Sequence, residues 1–312
     1  MENESSPART LCSPRYWPGW VGVMLWRALA ALPFALSLGI GRLIGRVLYR
    51  LMSRRRRIAE INLELCFPSS TRADREHLAK EHFASLGAAL AEAGLAWWGS
   101  RKRVLRHAKI HGLENLEAAA RGGRGVVLLT GHFTPLELTG RILGEAVPGI
   151  TAIYRANENA LLDAVTKRGR ERTGHTLRKQ QTREIVRTLR AGKMIWYAPD
   201  QHHRGAQCAQ VPFFGRPAAT SLATPRLAEL GRAAVVPYQP RRLPNGQGYE
   251  VRLLPALEDF PSADAVRDLV AGGDSRSCTR MGFSRKKTAR PKSGQAGGTG
   301  LGGRSGFFIG PV

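Results

Sequence analysis

Two hydrophobic periods alternate through the middle of the chain. Residues 73–98 carry apolar positions at helical spacing, 107–112 switch to a strand pattern, and helical spacing returns over 113–121. Gly125-Val126-Val127-Leu128-Leu129-Thr130 reads as a fully buried strand, and Thr134-Pro135 then reads as the N-cap and first position of a helix. Further on, the pattern predicts a short strand over Thr151–Tyr154, helices over Asn159–Arg172 and Thr182–Leu189, and a buried strand over Lys193–Ala198 that ends at Pro199-Asp200. A helix over Leu222–Gly231 follows. Strands over Ala233–Gln239 and Tyr249–Leu254 are joined by Pro244-Asn245-Gly246, the signature of a hairpin turn. Alternation of this kind predicts an α/β fold with a central mixed, mainly parallel sheet flanked by helices.

Both ends of the 312-residue chain depart from this pattern. Trp17 to Leu51 is rich in Leu, Ala, Gly and Trp, and its longest uncharged run is Ala28 to Gly41. With Trp17, Trp20 and Trp26 as an aromatic belt, it predicts an N-terminal membrane helix, although Arg27 interrupts the roughly 20 apolar residues that spanning requires. Arg42, Arg46, Arg50 and Arg54 recur every four residues, a stripe suited to phosphorylated headgroups. Gly41 and Gly45 imply close helix packing rather than a nucleotide loop, since no strand precedes them. Residues 269–312 hold 11 of the 35 glycines, eight Lys or Arg and the single acid Asp274, a composition predicting disorder and suggesting a frameshifted ending. The expected organisation is therefore a membrane-anchoring helix and basic stripe over 1–57, a globular domain over 58–268 and an atypical tail.

Charge narrows the class of partner. The formal net charge of +24 calls for a polyanion. Residues 1–60 carry ten Arg against three Glu beside the most apolar stretch, which favours an anionic membrane over nucleic acid. No aromatic-rich sheet motif or recognition helix supports a nucleic-acid partner. Cys12, Cys66, Cys208 and Cys278 are scattered and read as free thiols. His175, His202, His203 and Cys208 lack two-plus-two ligand spacing, so no metal is expected.

Three strand exits carry polar groups: Gly131-His132, Tyr154-Arg155-Ala156-Asn157 and Ala198-Pro199-Asp200. In open α/β sheets the ligand crevice lies where strands end. His132 in a strand-to-helix turn sits where an oxyanion is held and a proton taken. Glu137, five residues on, is either its partner or the far half of a capping box with Thr134, and spacing alone decides neither. Arg155 and Asp200 are site residues or ordinary salt-bridge partners.

At these residues the chain resembles the lauroyl/myristoyl lipid A biosynthesis acyltransferases, part of the wider lysophospholipid and glycerolipid acyltransferase group. The resemblance rests on Asn62-Leu63-Glu64-Leu65-Cys66-Phe67-Pro68, Gly131-His132-Phe133-Thr134-Pro135-Leu136-Glu137, Tyr154-Arg155-Ala156-Asn157-Glu158-Asn159, Trp196-Tyr197-Ala198-Pro199-Asp200 and Val236-Pro237, in order across residues 17–260. It implies a glycerolipid acyltransferase-like fold and transfer of a fatty acyl group from acyl carrier protein to a 3-hydroxyacyl chain of a Kdo-modified lipid IVA precursor. The implied setting is the cytoplasmic face of a Gram-negative inner membrane, and no cofactor is needed. Phospholipid acyl transfer from acyl-carrier or acyl-coenzyme A donors, and an inactive truncated member, are the alternatives. On this reading His132 is the general base and Glu137 orients it. Arg155 or backbone N–H groups hold the oxyanion, and Asn157 and Asp200 bind or orient substrate. Arg168, Arg170, Arg172, Arg178, Lys179, Arg183, Arg187 and Arg190 form a basic stretch for docking acidic acyl carrier protein, or else a solvated helix face.

Overall fold

The computed structural model describes residues 11–200 and 208–262. Its helices are α1 (Trp17–Ala31), α2 (Phe34–Leu51), α3 (Ser53–Cys66), α4 (Arg72–Trp98), α5 (Arg101–Leu105), α6 (Leu113–Ala119), α7 (Leu136–Ala146), α8 (Ala160–Arg170), α9 (Thr182–Arg190) and α10 (Ala223–Gly231). Its strands are β1 (Ala108–His111), β2 (Val126–Leu129), β3 (Thr151–Tyr154), β4 (His175–Arg178), β5 (Met194–Tyr197), β6 (Cys208–Phe213), β7 (Arg216–Ser221), β8 (Ala234–Arg242) and β9 (Tyr249–Leu253). Seven strands form one sheet in the order β1-β9-β8-β2-β5-β3-β4. The five from β8 to β4 run parallel, while β9 turns back antiparallel to β8 and carries β1 parallel to itself. The mixed, mainly parallel α/β sheet is therefore as the alternating pattern predicts. Strands β6 and β7 pair separately as a hairpin.

The central strands are buried on both faces, as parallel strands covered by helices must be. Val126, Val127 and Leu128 are fully buried. Leu128, Leu138, Ile142, Trp97, Trp196 and Tyr238 belong to one core on the α4/α7 side, and Val127, Ile185, Leu189, Ile195 and Val235 to another on the α9/α10 side. Burying a Val or Leu side chain contributes about 1.5–3 kcal/mol, so these two layers set the sheet's position.

Helix α4 organises the N-terminal part. It starts in a capping box, with Thr71 Oγ1 accepting from Asp74 N–H and the Asp74 carboxylate from Thr71 N–H. Gly41 and Gly45 of α2 abut Gly87, Phe83 and Ala84 of α4 so closely that a Cβ on any of the three glycines would overlap the facing backbone. The close packing expected of Gly41 and Gly45 is present. Replacing Gly87 with valine is expected to cost about 1–3 kcal/mol through overpacking, read as a lowered Tm.

The N-terminal membrane helix expected from sequence finds no support as a spanning segment. Among the described residues no helix is long and apolar enough to cross a membrane. The uncharged run Ala28–Gly41 contains Pro33, and the chain breaks there: α1 ends at Ala31 and α2 starts at Phe34. At 1.5 Å per residue the 15 residues of α1 reach only about 22 Å, short of a hydrocarbon core of roughly 30 Å. The arginine stripe is divided too. Arg42, Arg46 and Arg50 lie exposed on α2, whereas Arg54 belongs to α3, beyond a break at Met52. The tail from residue 269, and His202 and His203, lie outside the described residues.

Candidate active site

Strand register explains how His132 meets Asp200. In the parallel pair β2/β5, Leu129 faces Tyr197, and Thr130 N–H donating to Tyr197 O at 3.0 Å extends the ladder one step. Both chains then run three residues past the Leu129/Tyr197 pair, to His132 on one side and Asp200 on the other. There His132 Nδ1 lies 2.6 Å from Asp200 Oδ1, and the His132 backbone N–H donates to Oδ2 at 2.7 Å. Both carboxylate oxygens thus serve one residue. A neutral imidazole donating from Nδ1 keeps its lone pair on Nε2, so this contact fixes both the ring's orientation and which nitrogen is basic.

Glu137 occupies a different network. Helix α7 begins at Leu136 with no side-chain cap, so the Thr134/Glu137 capping box does not form. The Glu137 carboxylate instead accepts from Arg170 Nε at 3.2 Å, from Arg170 Nη2 and from Trp97 Nε1 at 2.9 Å. Burial alone pushes this carboxyl up, but the Arg170 guanidinium and the Trp97 N–H outweigh it and hold Glu137 below the usual carboxylate range. Glu137 therefore stays anionic near His132, while the hydrogen bond to Nδ1 belongs to Asp200.

The turn between them is anchored from behind. Thr134 is buried, and its hydroxyl meets Ser85 Oγ at 3.0 Å. Ser85 Oγ accepts from Arg242 Nη1 at 2.7 Å, and Arg242 Nη2 donates to the buried Glu92 at 2.7 Å, which also accepts from Tyr249. This chain ties the His132 turn to α4, β8 and β9 through groups removed from solvent. Satisfied buried networks of this kind fix geometry more than they add stability.

The remaining sequence candidates separate. Arg155 is exposed at the end of β3, 3.9 Å from Glu158. The Asn157 side chain accepts from Asn159 N–H at 2.9 Å, and Asn159 caps α8 by accepting from Leu161 and Leu162 N–H. These asparagines start the helix whose last residue, Arg170, reaches Glu137. Within the basic stretch Arg170 thus turns inward to the site, while Arg172 stays exposed and donates to Trp97 O at 3.2 Å. Sequence reading singled out neither Arg170 nor Trp97. Nothing in a run of eight cations marks the one that turns inward, although the Asn159 cap places Arg170 at the C-terminal end of its helix. Among the described residues no group of three or more metal-ligating side chains comes together.

A base poised at Nε2, an anion beside it and a guanidinium across from that anion suit acyl transfer to an alcohol. Sequence comparison decides the family. Residues 6–271 match the sequence model of the family described as bacterial lipid A biosynthesis acyltransferase. The chain belongs to that family. It is 34% identical over 267 residues to the lipid A biosynthesis lauroyltransferase of Escherichia coli (strain K12), covering 85% of this chain and 87% of that protein. It is 35% identical over 257 residues to the palmitoleoyltransferase of the same strain (82% and 84% covered), and 31% identical over 254 residues to its myristoyltransferase (80% and 78%). The lipid A acyltransferase resemblance read from the motifs is therefore correct, and the chain is an acyltransferase by family. The relatives' names differ in the acyl group.

Proposed function

We propose that this protein moves a fatty acyl group from an acyl carrier protein thioester to the hydroxyl of a 3-hydroxyacyl chain on a Kdo-modified lipid IVA precursor, at the cytoplasmic face of a Gram-negative inner membrane. The observation carrying the chemistry is the His132–Asp200 contact. His132 Nε2 takes the proton as the acceptor hydroxyl attacks the thioester carbonyl, and Asp200 stabilises the imidazolium that forms. The role first given to Glu137, steering the ring, passes to Asp200. Glu137 and Arg170 then act as a fixed charged pair bordering the reacting groups. The thiolate of a pantetheine arm departs without a strong acid, and the acceptor alcohol is itself the nucleophile. Incubation with acyl carrier proteins loaded with saturated chains and with the lipid precursor, followed by mass spectrometry, tests this. A precursor heavier by one acyl group is expected; acylation of lysophospholipid alone would refute it.

The membrane reading is supported by the outer surface of the N-terminal helices. Twelve of the eighteen exposed large apolar side chains among the described residues fall between Trp17 and Leu65. On α2, Leu43, Val47 and Leu51 stand one residue after Arg42, Arg46 and Arg50, so an apolar stripe runs beside a cationic one. A helix of this kind lies in the interface plane. Exchanging Arg42, Arg46 and Arg50 for glutamine is expected to weaken binding to anionic vesicles by about 1 kcal/mol per charge. Co-sedimentation with vesicles at low and high salt measures it, and an unchanged bound fraction would count against the reading.

A further inference from the structure

A small, partly open cavity of about 50 Å³ lies between α7, α8, the end of α4 and the sheet. Glu137 and Arg170 border it, and Trp97, Leu143, Ile150 and Trp196 are among its walls. Along α7, Gly140 and Gly144 follow Glu137 by three and seven residues, which places all three on one helix face. At 1.5 Å per residue this track leads about 10 Å away from the carboxylate. A Cβ on Gly140 would stand 3.3 Å from the Trp196 ring, one on Gly144 would run into Thr173, and one on Gly169 of α8 would run into Trp97. The glycines keep the helices flat where the two indoles approach.

Trp196 is only 8% exposed, and its Nε1 has no hydrogen-bond partner among the described residues. Buried indole N–H groups usually find an acceptor. Among the described residues this ring is held by packing alone, so no hydrogen bond to them has to break when it turns. At about 50 Å³ the cavity as it stands is too small for a long hydrocarbon chain, so a longer occupant enters only as such a ring moves aside. An apolar void that opens onto the charged pair of the site suits a hydrocarbon whose polar head reacts there.

We propose that this cavity receives the hydrocarbon chain of the acyl donor, and that Trp196 packed over Gly140 sets the chain length accepted. The proposal rests on the acyl-transfer reading above. Space behind Trp196 then governs how many methylenes lie beyond the thioester. A misfit of one methylene in an apolar pocket changes selectivity about 10- to 200-fold.

The test compares the full-length wild type, Gly140→Ala and Trp196→Leu, with kcat/KM measured for acyl carrier proteins bearing saturated chains that increase in two-carbon steps. Gly140→Ala is expected to lower kcat/KM for the longest efficient chain about tenfold relative to the chain two carbons shorter. Trp196→Leu is expected to shift the preferred chain to a longer one. Titration with free saturated fatty acids of the same lengths gives a second readout that needs no turnover, and Trp196→Phe substitutes if the leucine variant does not fold. Chain-length profiles unchanged in both transfer and binding would overturn the proposal. Absence of transfer by the wild type, with fatty-acid binding that still shifts with Gly140→Ala, would instead overturn the acyl-transfer reading and leave the cavity assignment standing.

Discussion

His132→Ala is expected to lower acyl transfer by at least two to four orders of magnitude while leaving Tm nearly unchanged. General-base catalysis supplies about that much, and the ring is partly exposed, so its removal opens no core void. Asp200→Asn is expected to fall in the same range with an unchanged fold. The amide keeps the shape of the carboxylate but gives up the charge that stabilises imidazolium and the clean acceptor pair that selects the Nδ1–H tautomer. Steady-state kinetics beside thermal unfolding separates these effects. If Asp200→Asn retained full activity, the hydrogen bond to Nδ1 would have no part in the reaction, and steering would return to Glu137.

Arg170→Ala is expected to damage stability and activity together. It strands a carboxylate whose side chain is only 20% exposed, and breaking a buried pair from one side costs about 3–5 kcal/mol. For a domain of this size that is a fall in Tm on the order of 10 °C. Arg170→Lys is expected to rescue only part of the loss, because one ammonium cannot reproduce the two-nitrogen contact with Glu137. Adding Glu137→Gln to Arg170→Ala is expected to recover much of the stability and none of the activity. The pH dependence has a definite sign. Since the folded protein holds Glu137 below its ordinary value, its stabilisation is present above the unfolded carboxylate range of about 4.3 and is lost as pH falls through the lower folded value. The Tm difference between wild type and Glu137→Gln should therefore shrink on acidification below that range.

The parallel core was legible because its strands are continuous apolar runs and its helices carry clear periodicity. Val126–Leu129, Thr151–Tyr154 and Met194–Tyr197 fall within the segments that the pattern assigned. Strand β4 escaped because it is an edge strand whose His175 and Arg178 are exposed, so His-Thr-Leu-Arg shows no buried alternation. The β6–β7 hairpin escaped because Pro212, Gly215 and Pro217 punctuate it as they would a loop. Pro33 divides the apolar run that hydrophobicity alone assigns to one membrane helix. His132 and the strand exits were legible from local pattern. The Asp200 contact is not a local property, since it follows from β2 and β5 being neighbours in a particular register. Arg170 and Trp97 are further still from local pattern, because each reaches Glu137 from a different helix.

The glycine contact between α2 and α4 has a mechanical consequence. Gly87 and Trp97 belong to the same uninterrupted helix, ten residues or about 15 Å apart, so the glycine contact that seats α2 and the indole that grips Glu137 are joined by a stiff strut. If α2 lies on the leaflet as proposed, the reaction centre rides at a constant height above it. On that reading an acceptor must raise its reactive hydroxyl to that height rather than wait for the catalyst to stoop, which makes reach along the membrane normal a selection rule in its own right.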